Sequence, residues 1–196
     1  SASRPSDSRE LGAITALIEQ HPVTATAGSA QGSQDAVLPR GGRILAVPCG
    51  GATGVPTVLT TTFAAAGRPD VSFDATRFLF VGRKGESDVD GVWEMDTDGA
   101  GAREIVQMPG GCQAAIYLPT LYTLDAERPE PRIAFAGRDA RGESSQLFTC
   151  RPDGSDVRQI TFAPRGVMDP YLLSDGRLLF ALGQDGEASG RKGNAS

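Results

Sequence analysis

Three features of the sequence predict an all-β protein. A short apolar run recurs behind a basic residue, Asp-Gly turns fall at matching places, and glycine and proline are abundant. The runs are Arg43-Ile44-Leu45-Ala46, Arg77-Phe78-Leu79-Phe80, Arg132-Ile133-Ala134-Phe135 and Arg177-Leu178-Leu179-Phe180. Each is too short for a helix and is bounded by turn residues, as buried strands are. Glycine occurs 25 times and proline 13 times in 196 residues. Many turns joining short strands need that supply, whereas a helical bundle avoids it.

Residues 1–41 differ in pattern from the rest of the chain. Ser8 is placed to cap a short helix, with Leu11, Ile14, Leu17 and Ile18 at helical spacing and Pro22 as its stop. The small polar stretch from Thr24 to Gln34 reads as a flexible linker. From residue 42 to about 182 the pattern is repetitive, and residues 183–196 are a polar tail.

Within the repetitive part the order of elements is constant. The runs at Arg77 and Arg132 end alike, in Val81-Gly82-Arg83 and Ala136-Gly137-Arg138. A polar loop comes next, then a strand bearing an aromatic residue, Val92-Trp93-Glu94-Met95 or Leu147-Phe148-Thr149-Cys150. Asp98-Gly99 and Asp153-Gly154 then supply the positive φ of a tight hairpin turn. A closing strand comes last, Arg103–Val106 or Arg158–Thr161. Arg77 to Arg132, Trp93 to Phe148 and Gly99 to Gly154 all lie 55 positions apart. A shared offset over so many residues is an internal repeat.

A further copy begins at Met168-Asp169-Pro170-Tyr171-Leu172 and reaches Phe180, with Arg132 and Arg177 only 45 positions apart. The insertion from Pro119 to Pro131 accounts for the longer spacing before it. A natural period of about 40–50 residues is that of propeller blades. Alternation puts Trp93 and Met95 on one face with Glu94 on the other, and sets Cys150 beside Phe148. The expected architecture is a partial β-propeller of about three blades of antiparallel four-stranded meanders, preceded by a short N-terminal helix.

Composition narrows the function. Hydrophobic residues make up 39% and charged residues 22%, a folded rather than a disordered profile. A net charge of −5 argues against a phosphate-backbone binder, so no nucleic-acid partner is expected. No apolar run approaches the roughly 20 residues that span a bilayer. Cys49, Cys112 and Cys150 form no CxxC pair, and His21 is the single histidine. A covalent haem site and any site needing two histidines are therefore ruled out, and no nucleophile elbow accompanies His21.

Individual residues give bland readings when weighed against sharp ones. Asp88, Asp90, Asp96 and Asp98 invite a calcium reading, but a strand from Gly91 to Met95 interrupts their spacing, and turn formation is the better account. Cys112 and Cys150 read as core fillers rather than a pair. Gly50-Gly51-Ala52-Thr53-Gly54 lacks the Lys-Ser/Thr of a phosphate loop and reads as a turn. Trp93 and Tyr171 are expected in packing between blades rather than in a ligand channel. Arg83 and Arg138 recur just beyond equivalent strands, which suggests a repeated structural role. The sequence thus assigns no catalytic, cofactor-binding or metal-ligating residue, and no cofactor.

The order PDVSFD, RFLF, VWEMDTDG, REIV, then QLFTCRPDGSDVRQIT and DPYLLSDGRLLF, resembles the TolB-type propeller repeat. Asp74-Ala75 departs mildly from the Asp-Gly of that repeat's opening turn. PDVSFDATRFLFVGR, CQAAIYL and LFTCRPDGSDVRQITF are more narrowly similar to the propeller region of hydrazine synthase alpha-subunit-like proteins. That resemblance covers roughly residues 43–180 and implies a large exported bacterial protein, periplasmic or extracellular, of a kind often linked to c-type cytochrome domains. The haem-binding motifs of those proteins have no matching positions here. The expected function is a non-catalytic propeller module, a fragment of a larger protein, that binds a protein or ligand. Its expected partners are other domains of the same protein, or a protein that completes the propeller. The alternative expectation is the propeller part of a multihaem oxidoreductase or of a peptidase, with the chemistry outside this chain.

Overall fold

The computed structural model describes residues 14–20, 38–49, 55–121, 130–138 and 144–183. Among these residues every regular element is a strand, and the strands form four antiparallel sheets. The first sheet holds β1 (Ile14–Gln20), β2 (Arg43–Cys49) and β3 (Thr57–Val58), in that spatial order. The second is the meander β4 (Ala65–Val71), β5 (Arg77–Arg83), β6 (Gly91–Asp96) and β7 (Arg103–Gln107). The third repeats it with β8 (Cys112–Leu121), β9 (Glu130–Gly137), β10 (Gln146–Cys150) and β11 (Arg158–Gln159). The fourth is the hairpin β12 (Val167–Leu172) and β13 (Leu178–Leu182).

The repeat read from spacing is a repeat of register. Phe80 opposes Trp93 in the second sheet, and Phe135 opposes Phe148 in the third. Phe78 opposes Met95 just as Ile133 opposes Cys150. The turns match too: Gly99 (φ 91°) and Gly154 (φ 82°) both adopt the left-handed conformation that glycine takes without a steric cost. Asp98 and Asp153 each accept a backbone N–H two residues on, at 2.8 and 2.9 Å, which tightens those turns.

The N-terminal helix expected over Leu11–Ile18 is corrected where the structure describes it. Residues 14–20 form β1 and pair antiparallel with β2 from Ile14↔Cys49 to Gln20↔Arg43. Ile14, Leu17 and Ile18 fit a helical period, yet Ile14, Ala16 and Ile18 fit a period of two equally well. Ile14, Thr15 and Ile18 are also β-branched, which favours a strand. A helix this short is marginal by itself, and pairing with β2 gives the backbone its hydrogen bonds instead. Ser8, Leu11, His21, Gly50–Gly54, the linker, the polar tail and residues 122–129 of the insertion lie outside the described residues.

The first strands of successive sheets are neighbours, β1 against β4, β4 against β8 and β8 against β12. The sheets stack face to face between them, and apolar side chains fill each junction. Ile44, Phe63, Phe78, Phe80, Trp93 and Met95 close the first junction. Phe63 meets Phe80 and Trp93 edge-on, with ring centroids 5.1 and 5.0 Å apart. The second junction holds Leu79, Val92 and Ile105 against Ile133, Phe135 and Phe148, the last two rings stacked at 5.5 Å. The third is smaller, with Ala136 and Leu147 against Val167, and Phe180 packed alongside.

Candidate functional site: the polar end of the second junction

Alternation along β6 turns Trp93 and Met95 to the first sheet and Glu94 to the third, as their membership of the first junction requires. Register then builds a row. Asp70 lies beside Leu79, Leu79 beside Glu94, and Glu94 beside Arg103, so all four share the face turned to the third sheet. Leu79 belongs to the apolar core, while the other three make one end of the junction polar.

Glu94 is only 4% exposed. A buried carboxylate costs several kcal/mol unless donors replace its water. Arg103 supplies two, its Nε at 3.0 Å and Nη2 at 2.5 Å from Glu94 Oε2. Arg77 Nη1 adds a third at 3.5 Å, and Tyr117 donates its hydroxyl to Glu94 Oε1 at 2.9 Å from β8 in the facing sheet. Arg103 also donates to the carbonyl of Pro152, at 3.0 Å, so it braces the same junction from its outer side. Burial, and then the bond to Glu94, push the Tyr117 phenol well above its ordinary range.

Asp70 is treated differently. It accepts one bond, from the Tyr117 N–H to Oδ2 at 2.8 Å. Desolvation outweighs that single donor and raises its pKa. Tyr117 therefore ties two carboxylates of the second sheet, one neutralised by arginines and one not.

Two clefts open onto this row. One, of about 230 Å³, is lined by Asp70, Val71, Phe73, Ile116, Tyr117 and Tyr171 among others. The other, of about 330 Å³, continues past Phe73 to Arg77, Glu94 and Arg132. Phe73 and Tyr171 stand 71% and 64% exposed, so Tyr171 is not packed between the described sheets. It lies on the hairpin of the fourth sheet, across from Leu179, on a face no other described sheet covers. Trp93 does pack between sheets, with its indole N–H donating to the Gly82 carbonyl at 3.0 Å.

A strained residue stands two positions before each of two residues that line the first cleft, Asp70 and Tyr171. Arg68 and Asp169 occupy matching β-bulges of β4 and β12, both at positive φ (56° and 50°) and both followed by proline. That conformation is costly for a non-glycine residue ahead of proline. The two side chains pair with one another, linking β4 to β12 past the intervening β8.

The remaining candidates make contacts within the sheets and turns. Asp88 caps the Gly85 N–H at 2.7 Å, Asp90 pairs with the buried Arg83 at 2.8 Å, and Asp96 lies 3.6 Å from Arg77. The four aspartates thus serve separate partners. Arg83 and Arg138 repeat a backbone role, their carbonyls accepting from Ala64 at 2.9 Å and Gly110 at 3.1 Å. Cys112 and Cys150 are unpaired and sit in the second junction. Burial pushes their thiols up to about 12 and about 11, so both are inert neutral groups. Sequence reading assigned none of Asp70, Phe73, Glu94 and Tyr117 to a site. One signal was visible: Glu94 is a charge within an otherwise apolar strand core, Val92-Trp93-Glu94-Met95.

No family model matches the chain. A curated relative, hydrazine synthase subunit alpha of Kuenenia stuttgartiensis, is 30% identical over 156 residues, 79% of this chain and 18% of the relative. The solved hydrazine synthase of the same organism superposes with a TM-score of 0.69 at 23% identity, over 86% of this chain and 28% of that one. A TolB from Acinetobacter baumannii superposes with a TM-score of 0.51 at 21% identity, over 76% of this chain and 33% of that one. The fold is a partial TolB-like β-propeller. The chain spans less than a third of the hydrazine synthase chains it matches. Its sequence has no CxxCH, and its two described core thiols are buried. Among the described residues no helix is long and apolar enough to cross a membrane.

Proposed function

We propose that this chain is a non-catalytic propeller module of a larger exported bacterial protein, periplasmic or extracellular, where it acts as a binding scaffold. One row of equivalent positions supports the reading. Leu79, Ala134 and Leu179 sit on the second strand of successive sheets, each on the face turned to the next sheet along. Leu79 and Ala134 are fully buried, because the third and fourth sheets lie over them. Leu179 is 57% exposed, while Phe180 beside it packs back on the third sheet. The exposed face thus has the character of a blade-to-blade interface, and its occupant is a further antiparallel blade of the same larger protein. Exposed leucines in a sheet face favour association of this kind.

The likeness to hydrazine synthase subunit alpha favours one setting for the module, the propeller part of a multihaem oxidoreductase whose chemistry lies in other segments. The test is a Leu179→Cys variant treated with a maleimide. It should label rapidly in this chain and at least tenfold more slowly in the longer gene product. Equal labelling in both would refute docking at this face.

A further inference from the structure

The geometry points to the 230 Å³ cleft beside Asp70 as a binding site for a small organic cation, a quaternary or alkylammonium group. Asp70, Ile116 and Tyr171 occupy the same position on three successive first strands, opposite Leu79, Ala134 and Leu179. The cleft is therefore assembled from equivalent places in three sheets, and among the described residues Asp70 is the one charged group in its lining. No cationic side chain among the described residues pairs with Asp70, whose single partner is the Tyr117 backbone N–H. The nearby Arg68 pairs with Asp169, while Arg77 and Arg103 serve Glu94 in the adjoining cleft.

An unneutralised carboxylate in a partly apolar recess takes a counter-charge more readily than water alone would allow. Phe73 and Tyr171 present exposed rings at the same recess, although aromatic side chains of this size are usually covered. Rings around a carboxylate are the arrangement that attracts a weakly hydrated cation, through ring quadrupole and charge together. A metal ion is a poorer fit, because one carboxylate and the phenols of Tyr117 and Tyr171, the first already bonded to Glu94, supply too few oxygen ligands. A neutral ligand would leave the carboxylate without a counter-charge. Tyr171 shares the open face of Leu179, so a further blade docked there would narrow this cleft.

The experiment titrates the chain with tetramethylammonium and, in parallel, with tert-butanol as a neutral probe of similar shape. Ring proton shifts of Phe73 and Tyr171 report occupancy. The expected result is saturable shifts with the cation, at least tenfold weaker binding of the alcohol, and at least tenfold weaker cation binding in Asp70→Asn. That variant keeps an oxygen to accept the Tyr117 N–H, and circular dichroism verifies its fold. Phe73→Ala, at a position that bears no packing load, should also weaken the cation severalfold. Equal binding of alcohol and cation, or unchanged binding in Asp70→Asn, would overturn the assignment.

Discussion

The two junctions that flank the second sheet share a register and are sealed by different chemistry. Toward the first sheet, Phe63, Phe78, Phe80 and Trp93 fill the gap, Phe63 edge-on to two of them, and the charge beside these rings is Lys84, its Nζ 4.9 Å from the Trp93 ring centroid. Toward the third, an aliphatic centre gives way to Glu94, Arg103 and Tyr117. The repeat dictates where a side chain sits and which sheet it faces. It does not dictate whether that place is apolar. A carboxylate survives at Glu94 because arginines and a phenol meet it there, one donor coming from the facing sheet. The aromatic junction has the character of a seam, and the polar one has spare chemistry at its open end.

The sharpest way to break this contrast is to empty the aromatic seam. Phe80→Ala should cost about 3–5 kcal/mol, since a fully buried ring leaves a cavity between rigid sheets. Urea unfolding would show it as a lowered midpoint. The outer edge of the polar junction should be nearly as intolerant. A Cβ at Gly154 would stand 2.0 Å from the Ile105 carbonyl oxygen, whereas nothing lies within 4 Å of Gly176. Both glycines have positive φ (82° and 86°), so Gly176→Ala isolates the backbone penalty of about 1 kcal/mol. Gly154→Ala should cost about 2–3 kcal/mol on the same assay. Equal losses would mean that the two sheets do not approach as closely as they do here.

Glu94→Ala should cost about 2 kcal/mol, less than the aromatic loss, because Arg77 and Arg103 can turn to water. A double-mutant cycle with Arg103→Ala should recover about 1 kcal/mol of coupling. No coupling would reduce the polar junction to chance proximity.

The smallest effect concerns two aspartates four residues apart. Asp74 accepts from Ser72 and from both the hydroxyl and the N–H of Thr76, which holds its pKa at about 2, below the ordinary 3.8. Its contribution is present above pH 3.8 and is lost as pH falls toward about 2. Asp70 has the opposite sign: with a raised pKa it binds its proton more readily folded than unfolded, so acid relieves a cost. In thermal melts, Asp74→Asn should lie below the parent near neutrality and converge with it in acid. Asp70→Asn should be level with or above the parent near neutrality. Parallel curves for both variants would show that neither carboxylate differs between folded and unfolded chains.

Much of this architecture was legible without coordinates. The 55-residue offset predicted equivalent strands, and Phe80 and Phe135 do occupy equivalent strands with equivalent partners. Asp-Gly turns were legible because they need a backbone state that few residues adopt, and Trp93 because alternation fixes its face. Ile14–Gln20 was misread, since a seven-residue segment fits two periodicities and only its pairing with β2 decides between them. The exposure of Tyr171 was not legible, because packing depends on what lies across from a residue, and no other described sheet covers its face.

By itself, then, the amino-acid order determined the repeated strands of the second and third sheets, their turns and the face each of their side chains takes, all of which rest on local sterics and short-range periodicity. Only the tertiary structure decided that Tyr117 would bridge Asp70 and Glu94, and that Asp70 would pair with no cationic side chain among the described residues. Those residues are 23 to 47 positions apart in the chain. Their meeting depends on how two sheets stack, which no local pattern encodes.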